Sequence, residues 1–147
     1  MTLKERIAQD MKQAMKAKDT PRLDTIRMLR AAIQRKEVDE QVALDDDGVI
    51  GVVEKQIKQA QDSIVQFQAG KRADLADKEQ ASVHILSEYL PEPLDEAVLD
   101  TLIREAISAS GAASMKDMGR VMARIKPQVQ GRADMGQVST KVKALLG

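Results

Sequence analysis

The sequence predicts an all-α fold: an N-terminal helical bundle of about four helices, followed by a small three-helix C-terminal domain. Three observations carry this reading. Apolar residues recur at three- and four-residue spacing along most of the chain. Charged residues make up 31% of it, which suits exposed helices that each bury one stripe. Phe67 and Tyr89 are the only aromatic residues, and strands favour aromatic side chains, so an all-β fold is disfavoured.

The elements follow in order. Thr2 and Glu5 have capping-box spacing, and Leu3, Ile7, Met11 and Met15 then recur every four residues toward Lys18. Thr20-Pro21 restarts the chain, with Thr20 as N-cap and Pro21 at the first helical position. Leu23, Ile26, Leu29 and Ile33 mark the apolar face of this second helix, which ends near Val38. Asp45-Asp46-Asp47 lacks the alternate spacing of a calcium loop and suits the positive end of a third helix. Ile50, Val53, Ile57, Ala60, Ile64 and Phe67 form a heptad-like seam, with Gly70 as C-cap. A fourth helix, Ala73 to Tyr89, carries Leu75, Val83, Leu86 and Leu90, and His84 within it reads as a structural histidine.

Pro91-Glu92-Pro93 cannot continue a helix, so residues 1–91 and 92–147 are expected to form separate domains. Beyond it, Asp95-Glu96 opens a helix bearing Val98, Leu102, Ile103 and Ile107 and closing near Gly111. Ser114 and Asp117 have capping-box spacing before a helix with Met118, Val121, Met122 and Ile125, expected to stop around Pro127. Gly131 to Asp134 turns the chain, and Asp134 caps a last helix with Met135, Val138 and Val142.

Composition narrows the function. There is no Cys and a single His, which removes thiolate and multi-histidine metal sites, and no cofactor is expected. The first residues are charged and the longest apolar run, Gly48 to Val53, is far short of a membrane span, so a soluble cytoplasmic protein without membrane contact is expected. No phosphate-cradling glycine loop is present, and no Ser sits beside a base in a recognisable motif. No catalytic residue is assigned.

The balanced net charge hides a pattern. Residues 1–36 carry +6, residues 37–113 carry −11 and residues 114–147 carry +5. Lys116, Arg120 and Arg124 are four apart, which would align them on one helix face, and Lys126 falls just past the last turn. Arg132 precedes a helix N-terminus, where free N–H groups favour an anion, and Lys141 adds a charge on the last helix. Together they form a candidate phosphate-backbone surface. Two alternatives stand beside it: Asp134 fills the helix end as an ordinary cap, or Arg132 forms an ion pair with Asp134 or Asp117. Methionines 115, 118, 122 and 135 read as core at this spacing, or as an adaptable binding face. A translation-related protein partner, docked on the heptad helix or the acidic middle, is the alternative to RNA.

The segment Ser114-Met115-Lys116-Asp117-Met118-Gly119-Arg120-Val121-Met122, with Pro127 and Gly131-Arg132-Ala133-Asp134, resembles the signature of the YqeY-like proteins. Ile26-Arg27-Met28-Leu29-Arg30-Ala31-Ala32-Ile33 and Tyr89-Leu90-Pro91 match it too, so the resemblance spans nearly the whole chain. It implies kinship with the tail of the B subunit of the glutamine-dependent aspartyl/glutamyl-tRNA amidotransferase. There the tail helps hold tRNA while glutamine hydrolysis and transfer occur on other domains and subunits. It also implies a family-level label of carbon–nitrogen ligase with glutamine as amido-N-donor. The expectation is a tRNA-binding accessory module, reading shape and phosphate rather than stacking bases, since aromatic platforms are scarce.

Overall fold

A computed structural model describes residues 1–147 as seven α-helices and one 3₁₀ turn, with no strand. The chain divides into two compact units, Met1–Leu90 and Pro91–Gly147.

The first unit holds four helices. Helix α1 (Leu3–Ala17) starts at the Thr2–Glu5 capping box. Helix α2 (Thr20–Glu40) is capped by Asp19, whose Oδ1 accepts from the Arg22 N–H at 3.2 Å. Thr20 is therefore the first helical residue, not the cap. The missing N–H of Pro21 is tolerated because first-turn donors have no intrahelical partner. Helix α3 (Asp46–Ala69) is capped by Asp45, and Asp46 and Asp47 occupy its first turn. Helix α4 (Ala73–Ser87) packs chiefly along α3.

Ile7, Ile26, Leu29, Ile33, Val49, Val52, Val53, Leu86 and Tyr89 form the core of this unit. The α3 seam is wider than a heptad near its start, where Val49 and Val52 are also buried. It thins toward the far end, where Ile64 and Phe67 are only half-buried. His84 lies on the exposed side of α4, so it is not a core residue. Three turns place a non-glycine residue in the left-handed region: Lys18 (φ 56°), Gln41 (φ 54°) and Lys71 (φ 58°). Gly70 is the C-cap of α3, with φ −84°, and Lys71 after it takes the left-handed conformation.

The second unit holds three helices. Helix α5 (Glu96–Ser110) runs from the Asp95 cap to Gly111 at φ 68°. A 3₁₀ turn at Met115–Asp117 leads into α6 (Met118–Val129). Helix α6 passes through Pro127 instead of stopping there. Ile125 and Val129, one turn apart, are both fully buried and anchor that last turn in spite of the proline. Helix α7 (Met135–Leu146) follows a turn at Gly131, φ 75°. Leu99, Ile103, Ala106, Val121, Ile125, Val129, Val138 and Val142 form the core, with Met118, Met122 and Met135 packed at its margin. Met115 stays outside it, 44% exposed. No helix is long and apolar enough to cross a membrane.

Candidate nucleic-acid interface

The capping box before α6 orders the start of the cationic segment. The Asp117 carboxylate accepts the Ala113 N–H at 2.9 Å and the Ser114 N–H at 3.3 Å, and the Ser114 hydroxyl accepts the Lys116 N–H at 3.4 Å. The Asp117 N–H in turn reaches the Ser114 carbonyl at 3.0 Å, which tightens the turn to 3₁₀ geometry. Lys116 thus lies in this turn and not on the α-helix that carries Arg120 and Arg124. The expected single-helix stripe is broken at its first member. The Asp117 carboxylate also takes a hydrogen bond from Arg120. The Ala113 N–H, then Arg120, hold its pKa below the usual aspartate value.

Helix α6 turns Val121, Ile125 and Val129 inward, so Arg120, Arg124 and Lys126 stay exposed. Lys126 belongs to the last helical turn and not to the segment after it. Lys116, Arg124 and Lys126 form no ion pair, while Arg120 remains exposed even when bonded to Asp117.

Arg132 makes backbone contacts in place of the expected ion pair. Its Nε donates to the Glu92 carbonyl at 3.1 Å, and its own carbonyl accepts from the Leu94 N–H at 2.9 Å. It clips the segment entering α5 onto the turn at Gly131. It makes no ion pair with Asp117 or Asp134. Asp134 caps α7 through the Gly136 N–H at 3.0 Å, so an internal carboxylate already occupies that helix end. Lys141 is committed within the fold. It bridges Asp100 at 2.7 Å and Glu96 at 3.0 Å with its side chain only 20% exposed, tying α7 to α5. The bonds to Asp100 and Glu96 raise its pKa.

Sequence reasoning missed the most organised polar cluster, which lies in the first unit. The buried Tyr89 hydroxyl donates to Asp10 Oδ2 at 2.6 Å, and the Arg6 guanidinium lies 5.0 Å from the Tyr89 ring centroid. Arg22 holds Glu88 with two bonds, at 2.7 and 3.2 Å, and Arg6 donates to the Glu88 carbonyl at 3.2 Å. Burial, then the bond to Asp10, pushes the Tyr89 phenol well above its ordinary pKa. The Arg22 bond holds the Glu88 carboxyl low. Arg6, Asp10, Arg22 and Glu88 line a cavity of about 430 Å³. Each is engaged by another member of the cluster, which fixes the end of α4 against α1 and α2. The partners lie 66 to 82 residues apart in sequence, beyond any local motif.

The model of the YqeY-like protein family matches residues 4–146. The chain belongs to the YqeY-like family. Among curated relatives, "Altered inheritance of mitochondria protein 41, mitochondrial" of Pyrenophora tritici-repentis is 33% identical over 145 residues, covering 97% of this chain and 80% of the relative. The protein of the same name from Kluyveromyces lactis is 34% identical over 140 residues, covering 94% of this chain and 72% of the relative. These relatives overturn the expectation of a cytoplasmic protein, because they are named as mitochondrial. That expectation rested on the charged first residues, and such residues do not specify a compartment.

Proposed function

We propose that this YqeY-like chain is an accessory module that binds tRNA by shape and phosphate through the exposed face of α6. The observation that carries the reading is the set of Lys116, Arg124 and Lys126, cations without an acidic partner on a short, well-anchored segment. Arg120 stands beside them, and Arg132 lends its outer guanidinium face next to the Gly131 turn. The resemblance to the amidotransferase tail supports the same reading. Glutamine hydrolysis and ATP use, which the resemblance places on other domains and subunits, lie outside it.

Binding of bulk tRNA to the purified chain, followed by fluorescence anisotropy across a salt series, tests this. Affinity should fall with salt, and the triple variant K116A/R124A/K126A should lower the slope by about one unit per lost phosphate contact. Lys141→Ala should change the slope little, because that charge is already neutralised by Glu96 and Asp100. No binding at low salt, or a triple variant that binds like the parent, refutes the reading.

A further inference from the structure

Helix α2 buries one apolar face and leaves three apolar residues exposed among charged ones on the other side. Ile26, Leu29 and Ile33 point into the core. On the opposite side Met28 is 67% exposed and Val38 is 68% exposed, with Ala31 exposed between them.

Beside this face lies a groove of about 600 Å³ between α1 and α2. Lys4 pairs with Glu37 at one end and Arg30 donates to Met11 Sδ at 3.1 Å further along, so the two helices run antiparallel. Ile7 and Met11 give the groove an apolar floor, Ala31 lies at its edge, and Arg27 and Arg30 stand on its α2 wall. Neither arginine has an acidic partner. Glu37, the one acid in the lining, is held by Lys4 and by the Leu44 N–H.

We propose that this groove docks an amphipathic helix of a partner protein, one with acidic residues flanking its apolar stripe. Two antiparallel helices leave a channel that a third helix fills. From Arg27 to Glu37 the channel runs about 15 Å, room for roughly ten helical residues. The arginines supply the charge complementarity and the methionines an adaptable apolar surface. A phosphate backbone would use the arginines and leave the apolar floor and the exposed Met28 and Val38 unburied. The inference does not rest on the RNA-binding reading, which concerns the other unit.

The test uses the full chain and a labelled helical peptide of about fifteen residues. The probe carries Leu at positions i, i+3 and i+7 with Glu on both flanks. A twin carries Lys in place of Glu. The Glu peptide should bind at micromolar concentration, and the Lys twin at least about tenfold more weakly. R27E/R30E should weaken the Glu peptide by about tenfold or more, and A31E at the groove edge should do the same with the thermal transition preserved. K116A/R124A/K126A should leave peptide binding unchanged, which separates this inference from the RNA reading. Three results would overturn it. One is no binding of the Glu peptide up to about 1 mM, or equal binding of its Lys twin. Another is a dimer that A31E dissociates, which would make a second copy the occupant. The last is loss of tRNA affinity in R27E/R30E while peptide affinity stays unchanged, which would make the face an RNA surface.

Discussion

The two units use their acidic residues differently. In the first, beside the local caps at Asp19 and Asp45, carboxylates tie distant helices together: Asp10 accepts from Tyr89, Glu88 holds Arg22, and Glu37 holds Lys4. In the second, most engaged carboxylates work within a few residues of themselves. Asp95, Asp117 and Asp134 each accept backbone N–H groups at the start of a helix. On α6, Arg124 and Lys126 stay exposed and unpaired. Where acids bridge helices instead, they fix geometry. The Lys141 bridge to Glu96 and Asp100 is the second unit's own exception, and it removes that lysine from the cationic face.

The contrast can be broken most strongly at the small core. Ile125 is fully buried at the centre of the second unit. Truncation of such a residue to alanine costs about 2–5 kcal/mol. A unit of this size has little stability beyond that, so I125A should unfold it alone. Tyr89, the only tyrosine, lies in the first unit and reports that unit's unfolding by fluorescence. Its urea transition should stay in place while circular dichroism loses amplitude. A shift of both signals together would mean that the two units unfold as one.

A smaller effect is expected at Tyr89. Phenylalanine there keeps the ring under Arg6 but removes the donor to Asp10, at a cost of about 1–3 kcal/mol. Y89F should therefore lower the urea midpoint of the first unit, read by circular dichroism, and leave tRNA binding unaltered. An unchanged midpoint would show that the long-range tie contributes only geometry.

The smallest expected effect sharpens the comparison from the other side. Asp117 has a lowered pKa in the folded chain, chiefly from the Ala113 N–H and Arg120. A carboxylate of this kind contributes stability above its unfolded pKa of about 4, and that contribution is lost as pH falls through the lower folded value. D117N should melt slightly below the parent at neutral pH and converge with it in acid. It also frees Arg120, so tRNA affinity at low salt should rise or hold, never fall steeply.

Much of the fold was legible because its signals are local. The Thr2–Glu5 box, the acids at the start of α3, the Asp134 cap and the Gly111 terminus each depend on residues within one turn. An error came where two local signals competed: Asp19 displaced Thr20 as the cap of α2. Tertiary packing overrode a local stop at Pro127, where the burial of Val129 extends α6. The candidate site was legible as a list of cations but not as a surface. Nothing near Lys141 announces Glu96 or Asp100, some forty residues away, and nothing near Arg132 announces the Glu92 carbonyl. Spacing places a charge on a helix, but only the fold decides whether another part of the chain has already claimed it.

Lys18, Gln41 and Lys71 have a bearing on protein engineering. The second unit reverses its chain at Gly111 and Gly131, where a positive φ is sterically free, whereas the first unit turns three corners with side-chain-bearing residues. Each such corner holds about 1–2 kcal/mol of backbone strain that glycine would relieve, partly offset by the greater freedom of a glycine in the unfolded chain. All three corners are exposed, away from the α1–α2 groove and from α6. They are sites where the chain could be made hardier without altering either surface proposed for recognition.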